Sequence, residues 1–185
     1  MKSVSSGAAD RKGRTMKKYK LTEETKEYYG ITLYRIEALK DFGTVKAGDK
    51  GGFIRSEDNL AHEGDAWVDG NAHVDGNAWV YGDAWVDGDA RVYGDARVGG
   101  YARVDGSAWV DGNAGIMQIG PIGSRDDITT FFRDQENGIS VKCGCFYGTI
   151  DEFAEAVKKT HGGTKYEKEY TAAIAVARAH IEGGE

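Results

Sequence analysis

The sequence has little cysteine and no long apolar run. Its 185 residues contain two cysteines, Cys143 and Cys145, which make no disulfide framework and are typical of a reducing compartment. No apolar run approaches the roughly 18 residues of a membrane-spanning helix. The first 16 residues carry basic side chains but lack the apolar core of a secretory signal. We therefore expect a cytoplasmic protein without a membrane segment, in which residues 1–16 are a disordered leader or an upstream extension.

Positive charge is scarce between Gly64 and Met117. This segment contains nine Asp and three Arg but no Glu and no Lys, so it carries the whole formal net charge of −6. Surfaces that bind nucleic-acid phosphates are basic. The composition therefore excludes nucleic-acid binding by this face of the protein.

The same segment repeats every six residues, in nine hexads without an insertion. Strand alternation places Ala66 and Val68 on one face and Trp67 on the other. The Gly and Asp or Asn that follow tolerate the left-handed backbone of a sharp corner. Three hexads therefore predict one triangular coil of 18 residues, and the segment predicts about three coils.

This pattern resembles the hexapeptide-repeat family, whose members form a left-handed parallel β-helix. The resemblance covers residues 64–117, and it implies the left hand of the coil. Residues 16–185 also resemble hexapeptide-repeat proteins of phages and prophages that have a small C-terminal α/β domain. The stretches that carry this second resemblance are ALKDFGTVKAGDKGGFI, IGSRDDITTFFR and CGCFYGTIDEF. It brings no established reaction and implies a phage or prophage context.

The flanks of the repeat predict a cap and a second domain. The open end of a solenoid exposes strand edges and apolar interior, so residues 17–62, which contain two β-rich runs, are expected to cap it. After the repeat, three strand patterns precede two helices, the first opened by a capping box at Thr149 and Glu152. The predicted fold is mainly β, with a cap at 17–62, a left-handed parallel β-helix at 63–117 and a small βββαα domain at 118–185.

The outward side chains of the coils are expected to stack, because residues 18 apart lie one above another at about 4.8 Å. Contiguous exposed aromatic surface usually marks an interface. We therefore expect a homo-oligomer, and the family resemblance implies a trimer. The expected interface residues are Trp67, Trp79, Trp85, Arg91, Arg97, Arg103 and Trp109.

A ladder of carboxylates accompanies these side chains at Asp69, Asp87 and Asp105. Corner Asp residues commonly accept a hydrogen bond from their own turn backbone. A cation site, or a site for basic groups of a partner, is the alternative that the sequence leaves open.

A polar cluster after the repeat is the predicted ligand site. Its members are Ser124, Arg125, Thr129, Thr130 and Arg133. Turn N–H groups, hydroxyls and two guanidinium groups could converge on phosphate or carboxylate oxygens. The alternative is an ordinary turn with surface arginines. No Walker loop or dinucleotide fingerprint accompanies the cluster.

Candidate catalytic and metal-binding residues are few. Hexapeptide-repeat acyltransferases typically use a histidine on a protruding loop, whereas His73 lies within an unbroken hexad. Cys143, Cys145 and His161 offer three soft ligands or a nucleophile with a base, but structural zinc requires four ligands. No cofactor and no metal site are therefore predicted.

The sequence therefore predicts a binding protein that is not an enzyme. An oligomeric solenoid would present C-terminal domains that capture an anionic small molecule, such as a nucleotide immune signal, or a host defence protein, as phage counter-defence. A structural or oligomerisation scaffold, and a hexapeptide-repeat acyltransferase with His73 as base, are the alternatives.

Overall fold

The structure is a computed structural model that describes residues 16–182. Residues 1–15 of the expected leader lie outside the described part. The chain begins with the hairpin of β1 (Tyr19–Tyr28) and β2 (Ile31–Ala38), and β2 pairs antiparallel with β3 (Lys50–Ile54). β3 then pairs in parallel with the first solenoid strand of the same side, so it starts an incomplete first coil.

The nine hexads form a three-sided parallel β-solenoid of about three coils, as expected. Side 1 contains β4 (Trp67–Val68), β7 (Trp85–Val86) and β10 (Arg103–Val104); side 2 contains β5 (His73–Val74), β8 (Arg91–Tyr93) and β11 (Trp109–Asp111); side 3 contains β6 (Trp79–Val80) and β9 (Arg97–Val98). Trp67 pairs with Trp85, and Trp85 with Arg103, so the predicted 18-residue register is confirmed. The Ala and Val of these hexads fill the interior and are at most 1% exposed from Ala66 to Val110.

Glycine is required at the corners for two reasons. The first glycines of the hexads have φ between +59° and +71°, where other residues are strained. At Gly88, an added Cβ would lie 2.8 Å from the backbone nitrogen of Gly106 in the next coil. The close approach of stacked corners therefore leaves no room for a side chain.

The direction of the hydrogen bonds gives the two ends of the solenoid different chemistry. Most N–H groups that bond between coils outside the strand pairs donate to the next coil, as Trp67 N–H does to Ala84 O at 2.9 Å. The first coil therefore has carbonyl oxygens without a donor from the repeat. On side 2, β3 supplies donors, and Phe53 N–H lies 2.9 Å from Ala72 O.

On the other sides the donors are two side chains and the backbone N–H of Ala61, which lies 2.9 Å from Val80 O. Lys18 Nζ donates to Ala66 O at 2.7 Å and to the carbonyl of the glycine two residues earlier at 3.2 Å. Asn59 Nδ2 donates to the equivalent carbonyls two hexads later, Ala78 O at 2.8 Å and Gly76 O at 3.2 Å. Lys18 is fully buried, and this burial lowers the pKa of its ammonium to about 8. The cap therefore closes the backbone ladder with polar side chains.

The C-terminal domain is a four-stranded antiparallel sheet with two helices. Its elements are β12 (Ile116–Ile122), β13 (Asp127–Asp134), β14 (Gly138–Cys143), β15 (Phe146–Thr149), α1 (Ile150–His161) and α2 (Lys165–Glu182). The predicted capping box is confirmed, because Thr149 Oγ1 accepts from Glu152 N–H and Glu152 accepts from Thr149 N–H. The edge strand β15 is an element that the sequence did not predict.

The central strand β13 joins the two parts of the molecule. Phe132 is fully buried in the solenoid core, whereas its neighbour Phe131 is fully buried in the core beneath the helices. Ile116, at the start of β12, also closes the solenoid interior. The solenoid and the C-terminal sheet are therefore packed together through alternate residues of one strand.

Candidate ligand-binding groove

The chain itself covers part of the predicted oligomer surface. Trp67 is 1% exposed, and the ring of Phe42 meets it edge-on at 5.3 Å between centroids. The expectation that Trp67 is an exposed interface residue is therefore wrong, because the N-terminal cap occupies that position. Trp85 and Trp109 are half-buried, and Trp79 is 37% exposed. Within the described residues, side 3 with Trp79 and Arg97 is the side that its own chain covers least.

His73 is enclosed by the β1–β2 hairpin. It is 2% exposed, and its ring lies 4.5 Å from the ring of Tyr28. Burial lowers the pKa of His73 to about 4, and the positive charges of Lys26 and Arg91 lower it further. Its Nε2 atom has no hydrogen-bond partner among residues 16–182. His73 is therefore a neutral, packed ring rather than a base that a substrate can reach.

A groove lies between side 1 of the solenoid and the C-terminal sheet. Its volume is about 500 Å³. The solenoid wall carries Trp85 and Arg103, and the guanidinium of Arg103 lies 5.4 Å from the Trp85 ring centroid. The opposite wall comes from β13, β14 and the turn that follows, with Lys142 and Thr130 facing the groove.

Four fixed carboxylates line this groove, together with the two cations Arg103 and Lys142. Each carboxylate accepts a backbone N–H through one oxygen, which leaves its second oxygen directed elsewhere. The pairs are Asp83 with Asp65 N–H at 3.1 Å, Asp87 with Gly88 N–H at 2.6 Å, Asp105 with Gly106 N–H at 2.7 Å, and Asp127 with Ile128 N–H at 2.7 Å.

The corner ladder therefore makes the turn bonds that were expected of it. Asp69 likewise accepts from Gly70 N–H at 2.8 Å. In the groove, Lys142 Nζ lies 3.8 Å from the second oxygen of Asp105. Four carboxylates and two cations give the groove lining a formal net charge of −2, so negative charge dominates its surface.

The five residues of the predicted anion site do not come together. Thr129 and Thr130 are 0% and 1% exposed and point to opposite faces of β13, as neighbours on a strand must. Thr129 Oγ1 donates to Cys143 Sγ at 3.2 Å, and Thr130 Oγ1 accepts from the backbone of the third coil. Arg133 donates to Ile181 O near the end of α2 at 2.7 Å. The single anion site is therefore corrected: strand alternation and packing disperse its members.

Ser124 and Arg125 do share a smaller pocket of about 210 Å³ with Cys143, Cys145 and His161. β14 ends at Cys143, and Cys145 lies exposed in the turn before β15. The two cysteines therefore do not lie on one strand. Within residues 16–182, no three His, Cys, Asp or Glu side chains are arranged to hold a metal ion.

Sequence reasoning missed the groove because its walls are distant in the chain. The only signal was the unbalanced Asp content of the repeat, without any indication of which Asp residues would face a second wall.

Neither helix of the described chain combines the length and apolar composition needed to cross a bilayer.

A comparison with known proteins finds a similarity that covers part of the chain. Over 61 residues the chain is 38% identical to the uncharacterized acetyltransferase YdcK of Escherichia coli strain K12. The match covers 29% of this chain and 19% of that protein, so the chain spans about a fifth of the length of this relative. No protein-family profile matches the chain.

This similarity and the three-coil solenoid together support a hexapeptide-repeat β-helix. The expectation that the protein is not an enzyme is corrected, because the relative is named as an acetyltransferase. The missing protruding loop, on which that expectation depended, concerns one placement of a base and not acyl transfer in general.

Proposed function

We propose that the protein binds a small molecule with amine cations in the groove between side 1 and the C-terminal sheet. The observation that carries the proposal is the set of four carboxylates, each fixed by a backbone N–H. Fixed acceptors need little reordering when a ligand arrives, so they favour binding. An ammonium group has donors only, which matches carboxylate oxygens.

The rest of the groove suits the same ligand class. Trp85 and Tyr101 add aromatic surface beside the carboxylates, and ammonium groups are attracted to aromatic faces. A volume of about 500 Å³ matches small-molecule sites. An anionic ligand such as a nucleotide would instead face four like charges, so this proposal replaces the anionic ligand expected from sequence.

The test is calorimetric titration of the purified protein with spermidine, a polyamine, and separately with inorganic phosphate. Spermidine should bind, and the double substitution Asp87→Asn with Asp127→Asn should weaken binding by about tenfold or more. Asn keeps the acceptor that each turn N–H requires. Asp95→Asn is the matched control. Asp95 accepts a hydrogen bond from Asn77 at 3.0 Å, and neither residue lines the groove.

Phosphate binding that is tighter than spermidine binding would refute the proposal. Equal spermidine affinity of the double variant and the wild type would also refute it. Because the contacts are between partly exposed charges, spermidine affinity should fall as salt rises.

Acetyl transfer to the bound amine is a second candidate, favoured by the relative named as an acetyltransferase. The ammonium would lose a proton to a groove carboxylate such as Asp87, and the amine nitrogen would attack the carbonyl of an acyl thioester. The C–N bond forms, the C–S bond breaks, and the thiol leaves with a proton. Release of free thiol from acetyl-coenzyme A that requires both spermidine and Asp87 would support this candidate.

Self-association belongs to the same proposal as a separate part. Trp79 stacks on Tyr81 at 4.4 Å between ring centroids, and Arg97 lies over Trp79 at 5.5 Å. These side chains form the surface on side 3 that a second copy would contact. The resemblance to hexapeptide-repeat proteins implies a trimer for this contact.

A further inference from the structure

A separate pocket lies between the tip of the β1–β2 hairpin and the corner that follows side 2. Its volume is about 210 Å³. Four aromatic rings line it, those of Tyr28, Tyr29, Tyr93 and Trp109. Tyr28 and Tyr29 meet edge-to-face at 4.7 Å, and Tyr93 and Trp109 lie 6.1 Å apart. The pocket therefore presents aromatic surface from two distant parts of the chain.

Asp75 gives this pocket a buried negative charge. It is 8% exposed and lines the pocket. Asp69 at the preceding corner and Asp87, one coil after Asp69, accept the N–H of the following glycine at 2.8 and 2.6 Å, whereas Asp75 makes no side-chain hydrogen bond within the described residues. Burial raises the pKa of its carboxyl, and the charge of Arg55 only partly opposes this shift.

The neighbouring cation is already engaged. The guanidinium of Arg91 lies over the Tyr28 ring at 4.8 Å and donates to the Tyr28 hydroxyl. Among residues 16–182 no cationic side chain lies within 4.0 Å of the Asp75 carboxylate. The Asp75 side chain is largely enclosed and has no protein partner, so a cationic ligand in the pocket would supply the partner that it lacks.

We propose that this pocket binds the alkylated ammonium group of a small molecule, with Asp75 as counter-ion and the four aromatic rings as its walls. An alkylated ammonium carries positive charge on an apolar surface, which suits aromatic faces better than it suits water. It needs few hydrogen-bond acceptors, and the pocket offers the Asp75 carboxylate. This site goes beyond the proposed amine groove, which lies on another side of the solenoid and has different walls.

The ligand probes are choline and its neutral isostere 3,3-dimethylbutan-1-ol, titrated into the full-length protein and followed by calorimetry and by the ligand methyl signal in NMR. Choline should bind, and the neutral isostere should bind about tenfold more weakly. Asp75→Asn should weaken choline binding by about the same factor. Asp69→Asn is the matched control and should leave choline binding unchanged.

Two further measurements separate a site from a folding defect. Asp75→Asn should not lower the thermal midpoint, because it removes a buried unpaired charge. Tyr29→Ala should weaken choline binding several-fold without a change in stability, because Tyr29 is 91% exposed. Spermidine binding in the groove should be unaffected by either substitution.

The inference is overturned if choline does not bind, if the neutral isostere binds as tightly as choline, or if Asp75→Asn binds choline like the wild type. Glycine betaine adds a carboxylate to the same head group. Tighter binding of betaine than of choline supports the site and adds Arg91 as a contact for the carboxylate.

Discussion

The two ends of the solenoid present different backbone groups to their caps. At the N-terminal end the first coil presents carbonyl oxygens, and donors from Lys18 and Asn59 satisfy them. At the C-terminal end the last strands present N–H groups, and acceptors satisfy them: Thr130 Oγ1 lies 3.3 Å from Arg103 N, and Asn113 Oδ1 lies 3.0 Å from Arg97 N. The hydrogen-bond direction of the ladder therefore determines which type of side chain can cap each end.

Both caps also add apolar side chains to the solenoid core. At the C-terminal end, Phe132 and Ile116 extend the solenoid interior into a second domain. At the N-terminal end, Tyr19, Ile54 and Leu60 likewise extend the solenoid interior, but two of the donors there, Lys18 and Asn59, are single buried side chains that each satisfy two carbonyl oxygens. We expect the N-terminal end to depend more strongly on individual hydrogen bonds.

The largest effect is expected for Lys18→Met. Methionine approximates the length of the lysine stem but leaves the Ala66 and Gly64 carbonyls without a donor at a buried position. Since each buried unsatisfied group costs about 1–3 kcal/mol, the free energy of unfolding should fall by about 3 kcal/mol in urea denaturation. Lys17→Met is the control, because Lys17 forms an exposed ion pair with Glu57 and should cost about 1 kcal/mol or less.

A smaller effect is expected from acid at the same end. The pKa of His73 is about 4 in the folded protein and 6.5 as its ordinary value. Between these values the unfolded chain binds a proton that the folded protein does not, so stability falls as pH decreases from about 6.5 to 4. Between pH 7.0 and pH 4.5 the loss should be about 2 kcal/mol.

The measurement is urea unfolding of the wild type and His73→Phe at pH 7.0 and pH 4.5. The phenyl ring keeps the contact with Tyr28 but does not titrate. The wild type should lose more stability than the variant on acidification. A parallel loss in both proteins would show that carboxylates, and not His73, account for the pH dependence.

At the C-terminal end, Thr130→Val should cost about 1–2 kcal/mol. Valine keeps the volume of this buried side chain but removes the acceptor of the Arg103 N–H. The cost should be smaller than that of Lys18→Met, because one hydrogen bond is lost rather than two. If urea denaturation ranks the two substitutions in the opposite order, the N-terminal end is not the more dependent one.

The smallest change in fold stability is expected for Trp79→Ala, at about 1 kcal/mol or less, because Trp79 is 37% exposed on side 3. Its expected effect is on association. Light scattering at tens of micromolar should show an oligomer for the wild type and a lower molar mass for the variant. Trp67→Phe, at a site covered by Phe42, is the control and should leave the molar mass unchanged.

The sequence predicted the features that repeat or that depend on near neighbours. The hexads indicated the three-sided coil and its register, and the Thr149 and Glu152 spacing indicated the start of α1. The burial of Trp67 was not predictable from the hexads, because Phe42, which packs on its ring, lies 25 positions earlier in a segment without a repeat. The predicted anion site was wrong for a related reason. Thr129 and Thr130 are adjacent on β13, and adjacent residues on a strand face opposite layers.

The sequence by itself determined the solenoid, because a strict period places the same small and branched side chains inward in every coil. Only the tertiary structure decided which outward side chains remain exposed, which carboxylates face a second wall, and that Asp75 lies unpaired among four aromatic rings. These properties depend on contacts between residues far apart in the chain, and local periodicity carries no information about such contacts.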